Sequence, residues 1–174
     1  MTVLETWRLR LREMTLDDLD DLHLIFFDSV AMQHYPKPFD REMTTGWIEW
    51  NLKNYAEHGF GLWAVIQKAD ERLIGDCGLT IQWVDDVGEL EIGSHILRSL
   101  WGRGLAAEAA EAAVACRDYA FHQLNRNRVI SWMSPENLDS CRVAEKVGMT
   151  LEMETKNKRG ILQVVYSMTP EDIA

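Results

Sequence analysis

Residues 101–109 read WGRGLAAEA: two glycines flanking an arginine, then a run of alanines, placed where a charged segment ends and a long apolar-striped one begins. Gly102 and Gly104 carry no Cβ, so amides at the start of a helix can come close to a ligand, and the helix dipole favours an anion there. The turn is thus shaped to cradle a pyrophosphate, with Arg103 inside it. The pattern GxxxxGK[ST] is absent, which removes the P-loop. Gly102, Gly104 and Ala107 do satisfy GxGxx(G/A), the dinucleotide fingerprint. That Rossmann reading needs an opening βαβ unit in a parallel sheet and an acidic residue about 20 positions on. Asp118 would fall inside the helix and Glu136 comes too late, so it stays the remote alternative. A helix start that merely packs closely is the structural one.

The flanks decide which fold carries the turn. After it, Leu105, Ala109, Ala112, Ala113, Cys116 and Ala120 fall on one stripe of a helix running to about residue 124, whose small side chains let it lie close to a sheet. Before it, FGLWAVIQK (60–68), RLIGDCGLTIQWV (72–84) and GELEIGSHIL (88–97) are apolar runs separated by the short turns ADE and DDV, an antiparallel meander. At the start, ETWRLRLRE (5–13) alternates Trp7, Leu9 and Leu11 with arginines and reads as one half-buried strand. Thr15 opens a helix with Leu16, Leu19, Leu22 and Phe26 at helical spacing. SVAMQHYPKPF (29–39), with two prolines, is loop. Asp40 caps a second helix ending at Gly59, with either Trp47, Trp50 and Tyr55 or Ile48, Leu52 and Tyr55 as its buried stripe. RVISWM (128–133) is a strand, SPENLDSCRVAEKVG (134–148) a loop and helix closed by Gly148, and TLEMETK and ILQVVYSM a hairpin turning at Arg159-Gly160. The sequence predicts one α/β (α+β) domain over 1–174 with about seven strands in the order βααβββαβαββ.

Composition narrows the partners. Of the 174 residues 47% are apolar and 26% charged, the balance of a soluble globular chain rather than a disordered one. A formal charge of -10 repels phosphate backbones, which argues against nucleic acid and favours a cationic small molecule or peptide. Charges at Glu5, Arg8, Arg10 and Arg12 interrupt any apolar run at the N-terminus, so neither a signal peptide nor a membrane span is drawn there and a cytoplasmic location is expected. Cys77, Cys116 and Cys141 lack CxxC spacing, and His23, His58 and His122 lack spaced partners, so no metal site is expected.

Two motifs together resemble the GCN5-related N-acetyltransferases. The family's pyrophosphate signature (Q/R)xxGx(G/A) is here Trp101, Gly102, Arg103, Gly104, Leu105, Ala106. Trp in the first slot is usual in the ribosomal-protein N-terminal acetyltransferase-like branch, where WGxGxAxEA recurs. SPENLDSCRVAEKVGM (134–149) is similar to that branch's N-x-x-S-x-x-V-x-E-K-x-G-F, with Met149 for Phe. WRLRLRE, HGFGLWAV and GDCGL extend the likeness over almost the whole chain. The resemblance implies a mixed, mostly antiparallel sheet that splays between the fourth and fifth strands, GELEIGSHIL and RVISWM. It implies acetyl-coenzyme A as cofactor, direct transfer to a primary amine acceptor (a protein N-terminus or a small cationic amine), and a possible homodimer. It places the cofactor against Trp101 through Ala107, including Gly102, Arg103, Gly104, Leu105 and Ala106, against Asn137 and Ser140, and against backbone groups of Ile96 and Leu97.

Transfer of acetyl from a thioester to an amine needs a base for the amine, a donor for the oxyanion and a proton for the thiolate. Gly93 is consistent with a bulge freeing an amide toward the acetyl oxygen. Glu91 is the leading base, with Glu89, His95 and Asp76 as alternatives and a solvated strand face as the bland reading. Many relatives place a proton-donating Tyr where this chain has Ala144. Ser140 can hydrogen-bond the sulfur or simply serve the helix start. A chain that kept the cradle but lost turnover would be a cofactor-sensing or interaction domain.

Overall fold

The computed structural model describes residues 1–101 and 106–173. Its strands are β1 (Thr2–Glu5), β2 (Leu9–Arg12), β3 (Leu62–Gln67), β4 (Arg72–Val84), β5 (Val87–Ile96), β6 (Val129–Met133), β7 (Thr150–Lys156) and β8 (Leu162–Met168), and its α-helices α1 (Leu19–Phe26), α2 (Arg41–His58), α3 (Ala106–His122) and α4 (Leu138–Val147). They form one sheet in the order β1-β2-β3-β4-β5-β6-β8-β7, antiparallel throughout except where β5 meets β6.

The extra strand lies almost wholly ahead of the expected one over 5–13, whose first residues form a turn and whose strand is only Leu9–Arg12. The chain turns at residues 6–8, where the Thr6 hydroxyl accepts from the Leu9 amide at 2.9 Å, and β1 folds back on β2. Trp7 therefore lies outside, 92% exposed, while Leu9 and Leu11 are fully buried. The helix starts follow the capping residues: Asp40 accepts from the Met43 amide and Gly59 closes α2 with φ 77°. The buried stripe of α2 is Thr44, Ile48 and Asn51, with Trp50 and Leu52 turned outward, so neither expected stripe holds as a whole. Asn51 faces inward because its side chain accepts from the Leu62 amide at 2.8 Å, a bond that fixes the start of β3.

Two apolar layers cover the sheet. On one face α3 and α4 lay Ala112, Ala113, Cys116, Ala120 and Ala144 against Leu9, Leu11, Trp63, Val65, Cys77, Leu90 and Ile92. Fully burying the leucine, isoleucine and valine side chains of the sheet contributes roughly 1.5–3 kcal/mol each, and the small residues of α3 let its backbone approach the sheet. The opposite face carries α1 and α2 through Leu22, Ile25, Phe26 and Ile48 over Leu62, Ala64, Ile66 and Leu73.

The β4–β5 hairpin sets what the site receives. Asp85 and Asp86 both adopt positive φ, 47° and 64°, the two-residue turn whose twist suits a hairpin. From Val84–Val87 the pairing runs without a register shift to Gly75–Ile96. Gly93 sits opposite Gly78 in that unbroken ladder, so the expected bulge is not there. Gly75 lets β4 close on β5, since a Cβ there would lie 2.1 Å from the His95 carbonyl oxygen, and Gly78 lets it close on β3, where a Cβ would lie 2.1 Å from the Gly61 oxygen; one on Gly93 would meet nothing closer than Leu62 at 3.7 Å.

Candidate active site

Across its other edge β5 pairs with β6 at one place only, Glu91 with Ile130, and the Ser131 hydroxyl donates to the Ile92 carbonyl at 2.9 Å beside it. Past that point the two parallel strands part, as the resemblance implied. The gap opens into a cavity of about 790 Å³ lined from both sides of the sheet, with Trp47 and Trp50 of α2 at one end and Asn137, Ser140 and Val143 at the other.

Alternation decides which backbone groups face this gap. The Leu97 amide donates to the Ile74 carbonyl at 2.8 Å, so Leu97 is spent on β4, and by period two Ser94 and Ile96 turn their N–H and C=O to the open side. The Ile96 carbonyl already accepts from the Trp101 indole at 3.1 Å, which fixes Trp101 at the cavity wall. Asn137 caps α4 by accepting from the Ser140 amide at 3.2 Å; both residues line the cavity, and so does Ala144, which is buried. Ala107 is half-buried in the first turn of α3. Gly102, Arg103, Gly104 and Leu105 lie outside the described residues. The Trp132 indole N–H, in the wall of the same cavity, is the one buried side-chain polar atom without a partner among the described residues.

Glu91, Gly93 and His95 alternate onto the face that carries α1 and α2, so the expected carboxylate does point into the cavity. The Thr80 hydroxyl donates to Glu91 at 3.2 Å, and the Gln82 amide donates to Thr80 in turn. Burial pushes the Glu91 carboxyl up to about 7, against the opposing pull of Thr80, the Trp132 amide, Gln82 and His95. Glu89 points the same way but is held by Arg128, whose Nε sits 3.2 Å from both carboxylate oxygens while its other end reaches Glu152. Glu89 does not line the cavity.

Asp76 and His95 were separate candidates in the sequence; the hairpin register places them opposite each other. Asp76 is wholly buried. It accepts from His95 Nδ1 at 2.8 Å, from the His95 amide at 3.0 Å and from the Trp47 indole at 2.9 Å. Burial alone would depress the imidazole; Asp76 and then Glu91 outweigh it and raise the pKa above the ordinary value. A residue that sequence reasoning missed completes the row: Tyr35, from the proline-containing loop, places its hydroxyl 2.5 Å from His95 Nε2. Among the described residues no group of three or more His, Cys, Asp or Glu is placed to hold a metal ion, and no helix is long and apolar enough to cross a membrane.

Residues 8–150 match the family model described as an acetyltransferase (GNAT) domain. The chain is 37% identical over 149 residues to the protein YkkB of Bacillus subtilis (strain 168), covering 85% of each. It is 30% identical over 186 residues to the N-acetyltransferase p20 of Bacillus licheniformis, covering 100% of this chain and 99% of that one. Among solved structures, an acetyltransferase from Agrobacterium tumefaciens superposes with a TM-score of 0.81 at 29% identity, covering 97% of this chain and 94% of its own.

Proposed function

The chain belongs to the GNAT family of N-acetyltransferase domains, and we propose that it binds acetyl-coenzyme A and passes the acetyl group directly to a primary amine in a ternary complex. The observation that carries this reading is the parted pair β5–β6, with Glu91 at its fork and, above it, edge groups of Ser94 and the Ile96 amide turned to the open side. A thioester arm fits such an edge because it presents amide groups that can add to the ladder. Its diphosphate falls to the turn at Trp101–Ala107 by the sequence motif. Acetyl-coenzyme A supplies the activated acyl group; everything else is done by the chain.

Glu91 is the base. With its carboxyl near 7 it is partly ionised at neutrality and more so as pH rises, and it sits where an amine entering past Trp47 and Trp50 would arrive. Asn137 and Ser140 border the cavity on the α4 side, and the Ser140 hydroxyl is assigned to the sulfur. The motif at 134–149 supports the ribosomal-protein N-terminal acetyltransferase-like branch, and the acidic surface supports a cationic acceptor, either a peptide N-terminus or a small amine.

The test is thiol release from acetyl-coenzyme A against a panel of amines and N-terminal peptides, alongside calorimetry of coenzyme A binding. Amine-dependent thiol release supports transfer. Tight coenzyme A uptake without it would turn the reading to a sensing domain, and no uptake would end it.

A further inference from the structure

Becoming an amide costs a primary ammonium two protons: one before its lone pair can attack, a second once the new N–C bond has formed. Glu91 can accept one. We propose that Tyr35, His95 and Asp76 form a second proton acceptor on the amine's side of the cavity, with the Tyr35 hydroxyl as the group that meets the amine.

The hydrogen bonds fix the direction of transfer. Asp76 has no proton to give when ionised, so His95 Nδ1 must be the donor toward it, and the neutral ring then leaves Nε2 with a lone pair. That lone pair accepts from the Tyr35 hydroxyl. When the amine nitrogen releases its second proton, the N–H bond breaks and a new O–H bond forms on Tyr35. The old Tyr35 O–H bond breaks at the same time and an Nε2–H bond forms. Tyr35 ends neutral, His95 ends as imidazolium, and the buried Asp76 carboxylate balances the charge. Collapse of the adduct re-forms the carbonyl and breaks the C–S bond; the thiolate leaves beside Ser140 and takes a proton from solvent, while the protons on Glu91 and His95 pass to solvent through the cavity mouth, one proton being released overall.

The surroundings hold this row in place. His95 is met edge-on by Phe26 of α1 and Trp47 of α2, with centroids 5.2 Å and 5.6 Å away, and its side chain is 13% exposed. The titratable groups facing it are Asp76 from β4, Glu91 from β5 and Tyr35 from the loop. That loop is anchored at its base by Arg98 to Asp28 at 2.6 Å and at its end by the Phe39 amide to the Phe26 carbonyl at 2.8 Å. Tyr35, His95 and Glu91 all line the one cavity. Such an arrangement is more than packing demands of a tyrosine in a loop.

This inference rests on the transferase reading, and its test separates the two. Log kcat is followed against pH at saturating acetyl-coenzyme A and amine in the unaltered protein, Tyr35→Phe, His95→Gln and Glu91→Gln. Two acceptors that must both be unprotonated give an acid limb approaching a slope of two; Tyr35→Phe and His95→Gln should lower the plateau at least about tenfold and reduce that slope to one. Coenzyme A affinity should stay within about twofold, since neither residue is placed against the cofactor. Nitrogen NMR of the unliganded protein should show His95 as the Nδ1–H tautomer. A slope of one in the unaltered protein, a slope of two kept in Tyr35→Phe, a change confined to the amine KM, or an Nε2–H tautomer would each overturn the relay. Absence of thiol release with every amine would overturn both readings. Full activity in Glu91→Gln would overturn Glu91 as the base and, by leaving a single acceptor, the two-acceptor relay with it.

Discussion

Along one side of β5 ten residue pairs run in continuous register against β4; along the other a single pair joins it to β6. The sealed edge is built on glycines that let backbones close up, and the open edge begins where the Ser131 hydroxyl takes the Ile92 carbonyl that a further ladder bond would have used. A strand zipped on one side can hold catalytic side chains at fixed spacing while its other side offers unpaired amides. Rigidity and vacancy are supplied by the same ten residues.

Damage to the sealed edge should have the largest effect. Gly75→Ala forces a Cβ to 2.1 Å from the His95 carbonyl oxygen of β5, a backbone atom that cannot rotate away, and should cost more than about 3 kcal/mol in denaturant unfolding. Gly93→Ala, on the same ladder, meets only ordinary contacts, Leu62 at 3.7 Å and Glu91 at 4.0 Å, and should cost little, so equal losses in the two variants would break the contrast. At the fork, Glu91→Gln should lower kcat by about a hundredfold while coenzyme A affinity is kept. Ser131→Ala removes one hydroxyl bond between β5 and β6 and should cost about 1 kcal/mol, read as a lower Tm, without loosening β4–β5. The smallest effect is a shift. A raised carboxyl is the working base only when ionised, so activity should climb as pH rises through about 7. Thr80 donates to the ionised form, so Thr80→Val should move that midpoint upward by about half a unit, and a downward move would contradict the assignment.

The parts of this contrast that were legible in the sequence are those set by local runs, turn residues and caps. RLIGDCGLTIQWV and TLEMETK are strands with the bounds drawn between their turn residues, and Asp40, Gly59 and Gly148 cap the helices they flank. Glu91 was a candidate because it is a carboxylate on the strand beside the gap, and its side chain lines the cavity there. The pairing of Asp76 with His95 was within reach, since counting back from a two-residue turn at Asp85-Asp86 brings them opposite. Tyr35 was not, because it belongs to a loop whose path is set by contacts 60 and 70 residues away rather than by its own pattern. Trp7 misled for the opposite reason: its alternation with Leu9 and Leu11 was real, but the chain reverses beside it and puts the ring outside.

That reversal has a reach beyond the sheet. The Thr6 hydroxyl and the Arg8 amide both donate to Glu111, and the Arg8 guanidinium clasps Glu108 at 3.0 Å and Glu111 at 2.7 Å, so the N-terminal hairpin is strapped to the opening turns of α3. Trimming the first eight residues, or fusing a bulky tag where they begin, would unfasten the opening turns of α3 from the sheet's outermost hairpin.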